Sequence, residues 1–159
     1  MNNYYIGIDA GNYTGFAVWN SRVKKFRELD TYNFWQAIQR LTEYGNLINK
    51  GEAKVTVVIE DVTQNSPVFF AKKTYSDVVG THEQKLGAVC MQAQRVGSVK
   101  EKTTLIIEFC EMWKIPIIKQ RPTKGSLTKM KADKFKDMTG FEGRTSEHSR
   151  DSALLVFGR

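Results

Sequence analysis

The apolar positions of this chain change period along its length, and each change marks a new element. Ile6 and Ile8 alternate with polar or small neighbours between Tyr4 and Asp9, Phe16, Val18 and Trp19 lie between Thr14 and Trp19, and Phe26 and Leu29 stand among polar residues between Lys25 and Tyr32. Patterns near period two predict three strands, and Gly11-Asn12 and Ser21-Arg22 supply turns that make them an antiparallel meander. Asn33 then reads as the cap of a helix whose apolar residues are Phe34, Ile38, Leu41 and Leu47-Ile48, ending near Gly51. Val55 to Ile59 is almost continuously apolar, as an interior strand covered on both faces requires, which places it beside the first strand.

From Val62 to about Lys85 the chain is polar and irregular, with Pro67 and the aromatic pair Phe69-Phe70. A long helix is expected from about Gln84 to Trp113, because Leu86, Val89, Cys90, Ala93, Val96, Leu105, Phe109 and Met112 recur at helical spacing. Gly87 and Gly97 within it mark a bend or close packing. Ile115-Pro116-Ile117-Ile118 reads as a short strand, Lys129 to Met138 as a short helix stopped by Gly140, and Ser146 as the cap of a last helix reaching Phe157. The order predicts one α/β domain over residues 1–159, a mixed five-stranded sheet of three antiparallel strands and then two parallel ones, flanked by helices.

The composition adds a partner. With 24 Lys and Arg against 17 Asp and Glu the net charge is +7, and the positive residues cluster. Between Lys114 and Lys136 stand Lys119, Arg121, Lys124, Lys129, Lys131 and Lys134, with Asp133 the sole acid. Such a run suits a polyanion, most simply a nucleic-acid backbone. The two cysteines, Cys90 and Cys110, lie too far apart in one helix to bridge and read as reduced core residues of a cytoplasmic protein. No apolar run approaches the ~20 residues of a membrane span, and no signal peptide opens the chain. Without a Cys/His cluster, any bound metal should be a hard one held by oxygen.

Three acids are candidates to hold it. Asp9 shares a strand face with Tyr5 and Gly7, and Glu60 shares one with Thr56 and Val58; in parallel neighbouring strands the two would stand side by side at the carboxyl ends, where open α/β sheets bind ligands. On the last helix His148 and Asp151 are three apart, and Asp151 shares its face with Leu154 and Leu155, which would press that face onto the sheet. Asp61 points away from Glu60 by parity and reads as a surface or capping acid. His82 reads as an exposed residue of the irregular region.

Gly7-Ile8-Asp9-Ala10-Gly11 with Thr14-Gly15-Phe16-Ala17-Val18 resembles the opening of the RuvC-type Holliday junction resolvases of the RNase H-like superfamily, and Thr139-Gly140-Phe141-Glu142-Gly143-Arg144-Thr145 resembles compact phage-type members in particular. The apolar strand ending in Glu60, Lys85-Leu86-Gly87 with Gln94-Arg95-Val96-Gly97, Lys131-Ala132-Asp133-Lys134 and the terminal His148…Asp151-Ser152-Ala153-Leu154 follow in the same order. The sequence departs from the pattern at Ala10, where many members carry proline, and in a shorter turn before Thr14.

The resemblance implies an RNase H-like fold and a two-magnesium site in which Asp9, Glu60 and Asp151 are ligands and His148 is a fourth ligand or a general base. Manganese should substitute. Such a site clamps the attacking water and the leaving 3′ oxygen of a phosphodiester and leaves a 5′ phosphate. One lysine among Lys129, Lys131 and Lys134, with Lys131 the first choice, would stabilise charge on the scissile phosphate. Branched DNA, above all a four-way junction, would lie on Lys72, Lys73, Lys124, Lys129, Lys131 and Lys134. Phe69 and Phe70 either stack on unpaired bases or fill the core of their loop. Paired cleavage implies a homodimer, expected through the long helix over residues 86–113, and a bacterial host cytoplasm as its setting if a phage encodes it. The same Gly7 to Gly15 stretch also resembles the first phosphate loop of actin-like and sugar-kinase ATPases, and a DNA-binding module with a dead site is a third reading.

Overall fold

The fold was analysed in a computed structural model that describes residues 1–64, 78–122 and 129–159. Strands β1 (Asn2–Asp9), β2 (Thr14–Asn20) and β3 (Lys25–Tyr32) form the expected meander, followed by α1 (Phe34–Asn49) and β4 (Ala53–Glu60). A single 3₁₀ turn (Val62–Gln64) precedes the long helix α2 (His82–Met112), and β5 (Ile117–Gln120), α3 (Ala132–Thr139) and α4 (Glu147–Leu154) complete the chain. The sheet order is β3-β2-β1-β4-β5, with β4 parallel to both β1 and β5 and the remaining pairs antiparallel. This is the α/β mixed sheet that the pattern of apolar positions predicts, with β1 at its centre.

Side-chain alternation divides the sheet into two faces. Tyr4, Ile6, Ile8, Phe16, Val18, Val55, Val57 and Ile59 pack against α1 and α2 in the larger core cluster. Ala17, Trp19 and Val58 face the other way, against Met130, Phe135, Ala153 and Val156 of the α3 and α4 side. Capping boxes begin three of the four described α-helices, Asn33 with Gln36, Thr81 with Gln84, and Ser146 with Ser149, whereas α3 has no side-chain cap. Strand β3 is held to α1 by Glu28, whose carboxylate accepts from Arg40, Tyr32 and Tyr44. Burial and that neighbouring carboxylate push the Tyr32 hydroxyl up to about 12.

Several expectations change in detail. Helix α2 buries Thr103, Ile106, Ile107 and Cys110, not the stripe of Leu86, Leu105 and Met112, which are exposed. Only the last three turns of α2 lie on the sheet, so periodicity summed over the whole helix picks the wrong face. Cys110 is a core residue, with burial pushing its thiol up to about 12, whereas Cys90 is exposed. His82 opens α2 rather than lying in an irregular segment. Lys129 precedes α3 instead of belonging to it, and α4 ends at Leu154, short of Phe157.

The face that α4 presents also differs. Ser149, Ser152, Ala153 and Val156 are buried, while Leu154 and Leu155 are only partly covered. Small residues meet small residues here. A Cβ at Gly7 would stand 2.0 Å from the carbonyl oxygen of Ser152, and one at Gly15 would stand 2.0 Å from that of His148. Helix α4 therefore rests directly on the backbone of β1 and β2.

Gly7→Ala and Gly15→Ala should each destabilise the protein by about 1–3 kcal/mol, because the obstructing atoms are backbone and cannot turn aside. Gly87→Ala, in a part of α2 where nothing lies within 4 Å, should instead gain about 0.5–1 kcal/mol from helix propensity. Urea unfolding of the three variants gives the comparison.

Candidate active site

Asp9 ends the central strand, and Glu60 ends its parallel neighbour. The last paired rung between them is Ile8 with Ile59, so the two acids occupy the next position along each strand. Gly7 and Val58 one rung back face α4, so strand alternation sets Asp9 and Glu60 on that same side. The position after Glu60 is fixed too. Asp61 is buried, its amide donates to the Gln120 carbonyl, and its carboxylate accepts from the Thr63 amide and hydroxyl and from Gln64 Nε2. Burial works to raise its pKa, but those hydrogen bonds and the charge of Lys119 hold it below the usual carboxylate value. Asp61 is thus a buried cap, not a surface acid.

Close seating of α4 brings its first turn over the end of β1. His148 Nδ1 lies 2.9 Å from Asp9 Oδ2, a contact between residues 139 positions apart. Since a carboxylate only accepts, the neutral imidazole carries its proton on Nδ1 and turns the Nε2 lone pair outward. The hydrogen bond to Asp9 raises the His148 pKa above its usual value; partial burial opposes this, and the charges of Asp9, Glu147 and Asp151 add to it. One turn on, Asp151 Oδ1 accepts from the backbone amide of Lys129 at 3.0 Å. Burial raises the Asp151 carboxyl, the Lys129 amide pulls it down, and the negative charges of Asp9 and Glu147 push it up again.

Lys129 is bound at both ends of this turn. Its Nζ lies 3.3 Å from Glu147 Oε1, and its backbone is in the left-handed region at φ 60°. Arg150 fixes the same corner, donating to the carbonyls of Met130 and Thr145. The Lys129 amide is not visible as part of the site from sequence spacing, because it arrives through this loop. Lys131 caps the N-terminus of α3 through its backbone, and Lys131 and Lys134 are exposed. Phe69, Phe70, Lys72, Lys73 and Lys124 lie outside the described residues.

The donor set suits a hard divalent cation in kind and place: carboxylates at one sheet edge, with like charges raising one of them, gain from a cation between them. In closeness it falls short, since among the described residues no three His, Cys, Asp or Glu side chains form a ready metal-holding group. Protein donors hold the oxygens instead, with His148 on Asp9 and the Lys129 amide on Asp151. Thr14, within the stretch that resembles a phosphate loop, is fully buried and its hydroxyl has no partner among the described residues.

The imidazolium form of His148 is the one that Asp9 favours. Its folded pKa lies above the unfolded value of about 6.5, so the pair adds stability below about pH 6.5 and loses it as pH rises through the folded value. In NMR titrations with a chelator present, His148 should titrate above 6.5 in the wild type and at lower pH in Asp9→Asn. Equal values in the two proteins would show that the contact does not persist in solution.

No protein-family model, curated protein or solved structure matches this chain.

Proposed function

We propose that this protein is a magnesium-dependent, structure-selective DNA endonuclease of the RuvC type, cutting four-way junctions or related branched DNA in a bacterial cytoplasm. The observation that carries the reading is the contact between His148 and Asp9, with Asp151 close enough for its charge to be felt, at the carboxyl end of the central strand. Glu60 ends the adjacent strand. A sheet with acids at the ends of β1 and β4, and a last helix bringing a histidine and an aspartate to them, is the arrangement that the resemblance to resolvases leads one to expect.

Asp9, Glu60 and Asp151 would hold magnesium, or manganese in its place, and the cation would supply the positive charge that a phosphodiester needs for attack by water. The chain's own residues account for the rest. His148, oriented through Nδ1 by Asp9, presents Nε2 to take a proton from that water. Asp9 stabilises the imidazolium that results. Lys131 and Lys134, with no ion-pair partner among the described residues, are free to meet phosphates. Lys129 is spent on Glu147 and on Asp151, so Lys131 is the better candidate for the scissile phosphate. Two nicks across a junction need two sites, and the long α2, most of whose first half is exposed, offers a surface on which a second copy can pack.

Asp9→Asn, Glu60→Gln and Asp151→Asn should each abolish magnesium-dependent nicking of a four-way junction in gel assays while leaving junction binding intact or stronger. Near wild-type cleavage by any one of them would remove that residue from the site. Cleavage by the wild type should rise with pH as His148 loses its proton, and this rise should be absent from a much slower His148→Ala. Replacing Lys131 and Lys134 by alanine should weaken junction binding and lower its salt dependence by roughly one unit of slope per lost phosphate contact.

A further inference from the structure

On the sheet face away from α4, the start of α1 and the last turns of α2 leave an open groove of about 340 Å³ lined by Phe34, Trp35, Ile38, Leu105, Phe109 and Met112. Its walls are large apolar side chains left in water: Trp35 is 75% exposed, Met112 71% and Leu105 42%. Scattered apolar residues on a surface are ordinary, but a contiguous set built around a tryptophan and a methionine is the composition of an interface centre. The cluster is also held in place. Phe34 packs edge-on against Trp35 with ring centroids 5.2 Å apart, Phe109 stacks on Trp113 at 5.5 Å, and the Asn33 capping box fixes the turn that carries Phe34 and Trp35.

The charge around this groove is opposite to that of the molecule. The chain carries a net charge of +7, yet Glu108 lines the groove and Glu101 stands two turns earlier on the same stripe of α2, Glu101-Leu105-Glu108-Met112. Both carboxylates are exposed, and neither has an ion-pair partner among the described residues. Of the two lysines that flank Glu101, Lys102 reaches away to Asn12 Oδ1 at 2.9 Å. Uncompensated carboxylates beside an apolar trough repel nucleic acid and attract cationic side chains.

We propose that this groove docks a basic amphipathic helical segment of a second protein, which places two or three large apolar side chains at i, i+3 or i+4 and i+7 between α1 and α2 and sets its Lys or Arg residues against Glu101 and Glu108. The site at the end of β1 lies on the opposite face of the sheet, so the segment and a substrate at that site can be held together. The inference rests on the groove alone and stands whatever reaction the Asp9 site performs.

A display library of random 16-residue peptides, selected on the immobilised wild-type protein, tests it. The selected peptides should share an apolar helical stripe flanked by Lys or Arg, and in fluorescence anisotropy each should bind at least tenfold more weakly to Trp35→Ser and to Glu108→Lys. These positions are exposed, so both variants should keep the wild-type circular dichroism spectrum and thermal midpoint, and the Asp9-dependent contact of His148 should be unchanged by NMR. Failure to enrich any peptide, enrichment of peptides without basic residues, or peptides indifferent to both substitutions would overturn the proposal. So would sedimentation showing that the wild type self-associates and that Trp35→Ser makes it monomeric, since a second copy would then cover the groove.

Discussion

The seating of one helix on bare backbone decides what this molecule can do. Most helices are kept from a sheet by the side chains between them, at an interaxial distance near 10 Å. Here Gly7 and Gly15 remove those side chains from two adjacent strands, and the carbonyls of Ser152 and His148 occupy the space that a methyl group would need. Ser149, Ser152 and Ala153 keep the opposing surface equally thin. The two glycines lie two rungs apart across the pair, Gly7 against Ala17 and Gly15 against Asp9, so the clearing runs diagonally along the line from Ser152 to His148 that α4 follows. It follows that His148 is brought down to the level of the strand ends. A thicker interface would lift its imidazole away from Asp9, and the histidine would be a surface residue of a short helix.

Electrostatics works against this closeness and is managed by local donors. Asp9, Glu147 and Asp151 bring three negative charges near the same turn, and those of Asp9 and Glu147 raise the cost of ionising Asp151. The imidazole of His148, the Nζ of Lys129 and the amide of Lys129 answer them in turn. Lys129 can supply its amide because it adopts a left-handed backbone, an uncommon state for a residue with a side chain and one that the surrounding contacts must sustain. Burial, with these charges added, leaves the Asp151 carboxyl raised, and the hydrogen bond to Asp9 leaves the His148 imidazole raised.

Much of the architecture is legible in the sequence because each strand and helix states its own period. The alternation in β1 and β2, the unbroken apolar run of β4 and the caps at Asn33 and Ser146 all correspond to structure. The parallel pairing of β1 with β4, which sets Asp9 and Glu60 at neighbouring strand ends, is legible as well. The errors arise where one element has two environments or where contact replaces burial. Helix α2 is covered over its last turns and open before them, so Leu86 and Cys90 satisfy a helical period without entering a core. In α4 the large apolar residues Leu154 and Leu155 suggest the buried face, yet the glycines opposite select the small ones. Pairing rules of size across an interface are not visible in either segment read alone. The loop that carries Lys129 to Asp151 has no period at all, and its role emerges only in three dimensions.

The distance along the chain between the two halves of the site has a consequence for the order of events during synthesis. Asp9 belongs to the first strand and His148 to the last helix, with every other strand and helix made between them. Until α4 has emerged and docked, the sheet can be complete in pairing and still lack a histidine beside its central acid, while Ala17, Trp19 and Val58 lack the part of their cover that Ala153 and Val156 supply. The pairing of His148 with Asp9 therefore forms only once α4 is in place. A polypeptide without α4 lacks that pair by topology alone, and the event that hides the last apolar surface on this face is the same event that brings the two residues together.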